Sequence, residues 1–142
     1  MILSKREQSF FNAAAAMSMN SEHRCQVGCI VVNKHRIISS GYNGKFKGCS
    51  LQKRLDNKYF KDNHSMGRKH AEIDALLPLI KSKHDLSKAT LYIYRKNRNG
   101  QLTLARPCPR CMSVIKECGI RRLKYTTDDG YASEVIRYDS IS

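Results

Sequence analysis

A chain of 142 residues, 41% hydrophobic and 27% charged, fits one domain spanning residues 1–142 with a sizeable core. Lysine and arginine number 26 against 12 aspartate and glutamate, a net charge of +14 that suits solubility and equally attracts nucleotides or nucleic acid. Apolar runs such as Cys29–Val32 and Ala75–Leu77 are too short to span a bilayer, and no signal-peptide pattern surrounds Ala13–Met17. An intracellular, cytoplasmic protein without a membrane partner is therefore expected.

Ser4 and Glu7 have capping-box spacing ahead of an Ala-rich stretch, which predicts a helix to about Met19. Two β-branched runs between Gln26 and Gly44, separated by Asn33–His35, predict a hairpin. Residues 44–69 are rich in Lys, Gly and Asn and read as a long loop, with one helical turn around Leu51–Phe60. Helical periodicity follows over 71–82, where Pro78 is expected to end or kink the helix. Ala89–Tyr94 reads as a buried strand that turns back through Arg98–Gly100 into a partner at 101–105. Cys108–Gly119 reads as a helix with Gly119 just past its C-terminus, 121–127 as a strand, and 131–137 as a short final helix. This order implies a layered α/β domain, with helices packed on one mixed sheet.

Six cysteines (Cys25, Cys29, Cys49, Cys108, Cys111, Cys118) in an intracellular chain suggest metal more than disulfides. Cys108 and Cys111 have C-x₂-C spacing at a helix start, so both thiolates can reach one ion. His70 can be the third ligand of a zinc whose fourth position stays open to water, the arrangement of a catalytic site. Zinc makes hydroxide available near neutral pH, and Glu72, two residues from His70, can carry its proton to a substrate. H-x-E…P-C-x-x-C is the signature of zinc nucleobase deaminases. The plain alternative is a capping His70, a solvated Glu72 and two structural cysteines. Cys25, Cys29 and Cys118 read as core packing, and His23, His35 and His84 as surface residues.

With "RCQVGCIVV" (24–32), "RIISSGYNG" (36–44), "HAEIDAL" (70–76), "ATLYIY" (89–94), "PCPRC" (107–111) and "GIRRLKYT" (119–126), the sequence resembles the cytidine deaminase superfamily, nearest its deoxycytidylate (dCMP) deaminase branch, over about residues 5–127. The resemblance implies a three-layer fold: a mixed central sheet with the two zinc-bearing helices side by side. It also implies His70, Cys108 and Cys111 as zinc ligands and Glu72 as proton shuttle. Asn43 would contact the sugar of the substrate, and main-chain groups of Ala71 and Cys108 would help hold the base and the water. A turn-forming role for Asn43 before Gly44 stands beside that assignment. A homo-oligomer is implied as well.

The sequence departs from the family pattern in two places. "RKNRNGQLTLAR" (95–106) is longer than the usual link to the PCxxC motif. Cys49 and His64 lie where some relatives place a second zinc or an allosteric nucleotide site, without a full ligand set. The expected reaction is hydrolytic deamination of a cytosine nucleotide, dCMP to dUMP. The alternative substrate is a base in single-stranded DNA or RNA, including tRNA, favoured by the basic segments 45–69 and 95–110, yet these carry few aromatic residues for stacking. Lys45, Lys47, Arg95, Lys96 and Arg98 are the candidates for steering or holding an anionic substrate. Adenosine or guanine deamination, and a non-enzymatic zinc-stabilised binding module, are the further alternatives.

Overall fold

The computed structural model describes residues 1–44 and 69–137. The expected turn at Leu51–Phe60, and Cys49, His64, Lys45 and Lys47, lie outside the described residues. In chain order the elements are α1 (Lys5–Ser18), β1 (Gln26–Asn33), β2 (Arg36–Tyr42), α2 (Ala71–Lys81), β3 (Thr90–Lys96), α3 (Pro109–Glu117), β4 (Arg122–Thr127) and β5 (Gly130–Val135). The strands form one mixed sheet in the order β2-β1-β3-β4-β5, in which β3 and β4 pair in parallel and the other neighbours antiparallel.

Strand alternation divides the core into two layers, one on each face of the sheet. On one face Ile30, Val32 and Tyr92 pack against Phe10, Phe11 and Ala14 of α1. On the other, Cys29, Val31, Leu91, Ile93, Leu123 and Tyr125 pack against α2 and α3 through Ala75, Leu76, Leu79, Val114 and Ile115. The molecule is therefore three layers, helix on sheet on helices, as the sequence implied.

Local chemistry sets the ends of these elements. The Ser4 hydroxyl accepts from the Glu7 N–H at 3.1 Å while the Glu7 carboxylate accepts from the Ser4 N–H at 2.9 Å, the reciprocal capping box. Glu7 also meets the Lys124 ammonium at 2.7 Å, which ties α1 to β4. The β1–β2 hairpin turns on Lys34 and His35, both at positive φ (51° and 65°), as the right-handed strand twist demands of a two-residue turn.

Three expectations about local structure need correction. Residues 131–137 are not helical: Asp128–Asp129 make a two-residue turn and Gly130–Val135 pairs with β4 as an edge strand. The Asp-Gly turn signal and the open edge of β4 outweigh helix propensity there. Residues 101–105 do not extend β3 into a hairpin. Both edges of β3 are occupied by β1 and β4 as far as Ile93, so the returning chain makes a single bridge, Lys96 to Leu102. It then docks on β4, with the Ala105 N–H donating to the Thr126 carbonyl at 2.9 Å. Pro78, expected to end or kink the helix, does not end α2, which continues to Lys81; only the ending half of that expectation is corrected. The helix forfeits the hydrogen bond that residue 78 would donate, and Leu79 beyond it is still buried against the sheet.

The path of the chain positions the site. α2 leaves β2 and α3 leaves β3, so each helix begins beside the C-terminal end of the strand before it. β1 runs antiparallel between β2 and β3, and its N-terminal end joins the same sheet edge.

Candidate active site

Both helices open with chemically active residues at that edge. His70 is the N-cap of α2 (φ −94°, ψ 140°), Ala71 its first residue and Glu72 its second. Cys108 is the N-cap of α3, Pro109 stands at the first helical position where its missing N–H costs nothing, and Cys111 lies in the first turn. The imidazole of His70 and the sulfurs of Cys108 and Cys111 offer one ligand atom each, all within 4.8 Å of one another. Ligand atoms around a tetrahedral zinc lie roughly 3.5–3.8 Å apart, so closing the cluster on an ion takes at most about 1.3 Å of movement. One nitrogen and two sulfurs suit zinc, and three protein ligands leave the fourth position open. The donor set fits a catalytic zinc.

The electrostatics agree with that chemistry. Cys108 and Cys111 share one proton: a hydrogen bond from the Cys111 thiol holds Cys108 down at about 4, and the same proton together with burial pushes Cys111 up. Cys108 reaches the surface while Cys111 is fully buried. Burial also raises the Glu72 carboxyl, with neighbouring His70 holding it back. A carboxyl raised toward neutrality is suited to taking a proton and giving it up again.

His70, Glu72 and Cys108 form the floor of a cleft of about 280 Å³. Asn43 lines its wall and also braces it. The Asn43 carboxamide accepts from the Val27 N–H at 2.9 Å and donates to the Cys25 carbonyl at 2.8 Å, joining the open ends of β1 and β2. One amide hydrogen and one oxygen lone pair remain for a ligand, so bracing and substrate contact coexist in one side chain. Ala71 is buried beneath the cleft.

Sequence reasoning missed several wall residues, Lys69 among them. His23 and Cys25, expected at the surface and in the core, both face the cleft, and the His23 Nδ1 accepts from the Cys25 N–H at 3.1 Å. Arg106 stands at the rim, its guanidinium donating twice to the Glu134 carboxylate at 2.9 Å each. Its place two residues before Cys108 was the available signal. Cys29 is in the core and Cys118 packs against it, while His35 and His84 are exposed, as expected. Of the anion-steering candidates, Arg95 enters the cleft. The Lys96 ammonium points to the other face of the sheet, 3.0 Å from the Met19 sulfur, and Arg98 sits exposed in the turn. An apolar cavity of about 330 Å³ between the C-terminal ends of α2 and α3 contains none of the site residues.

Fold and site together define a zinc-dependent deaminase of nucleobases. The chain belongs to the cytidine and deoxycytidylate deaminase family, whose zinc-binding region matches residues 4–127. It is 32% identical over 130 residues to a deoxycytidylate deaminase of Mycobacterium phage D29, covering 84% of this chain and 92% of that one. The Homo sapiens deoxycytidylate deaminase is 27% identical over 137 residues, 88% of this chain and 67% of the relative. The fold is shared with the dCMP deaminase from cyanophage S-TIM5 (TM-score 0.61, 24% identity, 87% and 84% of the two chains). It is shared also with cytidine deaminase from Burkholderia pseudomallei (TM-score 0.61, 16% identity, 94% and 93%). Among the described residues, no helix is long and apolar enough to cross a membrane.

Proposed function

We propose that this protein hydrolyses dCMP to dUMP and ammonia, with His70, Cys108 and Cys111 holding zinc and Glu72 moving the protons. The observation that carries this reading is the meeting of three ligand atoms within 4.8 Å beside a buried, unligated carboxyl on the same helix start. A purely structural metal site has no use for Glu72. The substrate follows from the relatives, several of which are deoxycytidylate deaminases.

Zinc bound there supplies the Lewis acidity that makes water nucleophilic near neutral pH. Glu72 would take one proton from the attacking water and deliver it to ring N3 as C4 is attacked, then take the second from the hydroxyl now on C4 and deliver it to the departing amine. Water and cytosine thus become uracil and ammonia with no net proton left on the enzyme. Main-chain groups of Ala71 and Cys108 orient the base, and the spare hydrogen-bonding capacity of Asn43 meets the sugar. The proposal includes a homo-oligomer, as the family resemblance implies, working in the cytoplasm.

Zinc-loaded protein mixed with dCMP should lose cytosine absorbance and release ammonia, with dUMP as product. Failure to deaminate dCMP, deoxycytidine or a cytosine-containing oligonucleotide would sink this function. A second reading, deamination within a nucleic-acid strand, draws on the net charge of +14 and the arginines at the cleft. Turnover of the oligonucleotide in preference to dCMP, with steep salt dependence, would favour it.

A further inference from the structure

We infer that Arg95 is the residue that reads the substrate's 5′-phosphate and so sets the preference for a nucleotide over a nucleoside; this rests on the nucleotide reading above. Along β3 the side chains of Leu91 and Ile93 face α2 and α3 and are fully buried. Arg95 is the next residue on that face, at the point where the row leaves the core and enters the cleft. The register sets it directly opposite Val27, whose N–H is held by Asn43 at 2.9 Å. A nucleotide with its base over Glu72 and its sugar at Asn43 therefore carries its phosphate toward Arg95.

The charge balance of the cleft singles out the same residue. Among the described residues three Lys or Arg side chains line it: Lys69, Arg95 and Arg106. Lys69 is paired with Asp74 at 3.4 Å and Arg106 is clamped by Glu134, so both charges are already met. Among the described residues Arg95 has no carboxylate partner. Its Nη1 reaches the Leu104 carbonyl at a long 3.4 Å, and among the described residues its buried Nε has no hydrogen-bond partner. Buried donors in native structures are nearly always satisfied, so a guanidinium that lines a ligand cleft with its charge unmet suits an anion's oxygens.

The backbone under it is rigid. The Arg95 N–H donates to the Thr126 hydroxyl at 3.1 Å, and its carbonyl accepts from the Thr103 N–H at 3.1 Å. A fork fixed on a strand and short of a partner suits a phosphate monoester, which it can grip with two parallel hydrogen bonds.

The test compares kcat/KM for dCMP with that for deoxycytidine. Wild type should prefer dCMP, and Arg95→Gln should shrink that preference about 10–100-fold, the loss of one charge-assisted contact. Arg95→Lys, which keeps the charge and loses the fork, should retain part of it. Deoxyribose 5-phosphate should compete with dCMP for wild type, and deoxyribose should not. An unchanged preference in a folded Arg95→Gln, or no wild-type preference, overturns the assignment. If wild type turns over neither substrate, the deamination reading falls by itself. Calorimetry with deoxyribose 5-phosphate then still decides the anion site: binding to wild type and not to Arg95→Gln upholds it, and equal or absent binding overturns it. Should Arg95→Gln fail to fold, Arg95→Lys and the wild-type competition decide.

Discussion

Gly41 is where α2 lies directly on the sheet, and Gly41→Ala tests how tightly that contact sets the site. A Cβ built there would sit 2.5 Å from the Ala75 nitrogen and 2.6 Å from the Ala71 carbonyl oxygen, where ordinary contact begins at 3.4 Å. Both are main-chain atoms, so no side chain can swing aside and the helix must retreat by about 0.9 Å, the gap between 2.5 and 3.4 Å. That retreat also strains the Ser39 hydroxyl bond to the Ala75 carbonyl and the Tyr42 N–H bond to Asp74 at 3.1 Å. Overpacking of this kind costs about 1–3 kcal/mol. The same helix start carries His70, Ala71 and Glu72, and a misplacement of about 1 Å costs on the order of 100-fold in rate. The control is Gly28→Ala, whose Cβ would collide with the Ala14 carbonyl and the Ser18 nitrogen of α1, on the face away from the cleft. Thermal unfolding should show both variants destabilised, while kcat measured well below either Tm should collapse for Gly41→Ala alone. Wild-type kcat in a folded Gly41→Ala, or an equal loss in Gly28→Ala, would refute the reasoning.

Glu72→Gln keeps shape and hydrogen-bond reach but relays no proton, so kcat should fall ~10²–10⁴-fold while zinc content and substrate binding change little. Loss of zinc in that variant would instead make Glu72 structural. Cys108→Ser should lower both zinc stoichiometry and Tm, since metal binding and folding are coupled; full zinc content on metal analysis would contradict its role as a ligand. The Lys124 ammonium, through its hydrogen bond, holds Glu7 below the ordinary value of 4.5. A depressed carboxylate stabilises the fold above that value and loses its contribution as pH falls through it and below. Tm should therefore drop less on acidification in Glu7→Gln than in wild type, by the equivalent of about 0.5–1 kcal/mol for a surface pair. Parallel acid profiles for the two proteins would show the pair to be inert.

The ends of the helices were legible in the sequence because their chemistry is local. Ser4 and Glu7 satisfy one another within a single turn, and Cys108 and Cys111 are brought together by the turn they share. His70 with Glu72 could be joined to them on chemical grounds, since a three-ligand zinc and a proton shuttle are jointly demanding. The rest of the cleft wall was not legible, because His23, Cys25 and Arg106 join Asn43 and Arg95 there through strand pairing between distant segments. Nothing near Cys25 separates a core cysteine from one at the open end of a strand. The misread helix at 131–137 has the same origin: what makes Gly130–Val135 a strand is the vacant edge of β4, which is remote information. Pro78 shows the converse, a strong local stop signal overridden by the burial of Leu79.

Thr126 is fully buried, takes the Arg95 N–H, and donates its hydroxyl to the Thr103 carbonyl at 2.8 Å. Where β4 stops pairing with β3 at Tyr125, this side chain helps clasp the long connection to the sheet, through main-chain atoms of that connection. The tip is organised separately, by the Asn97 side chain accepting from the N–H groups of Asn99 and Gln101 at 2.9 and 3.0 Å. Between these two fastenings the identities of Arg98, Asn99 and Gly100 touch neither the clasp nor the cleft. The tip is thus a natural attachment point for a dye, an affinity handle or a grafted peptide, carried beside the active site without being built into it.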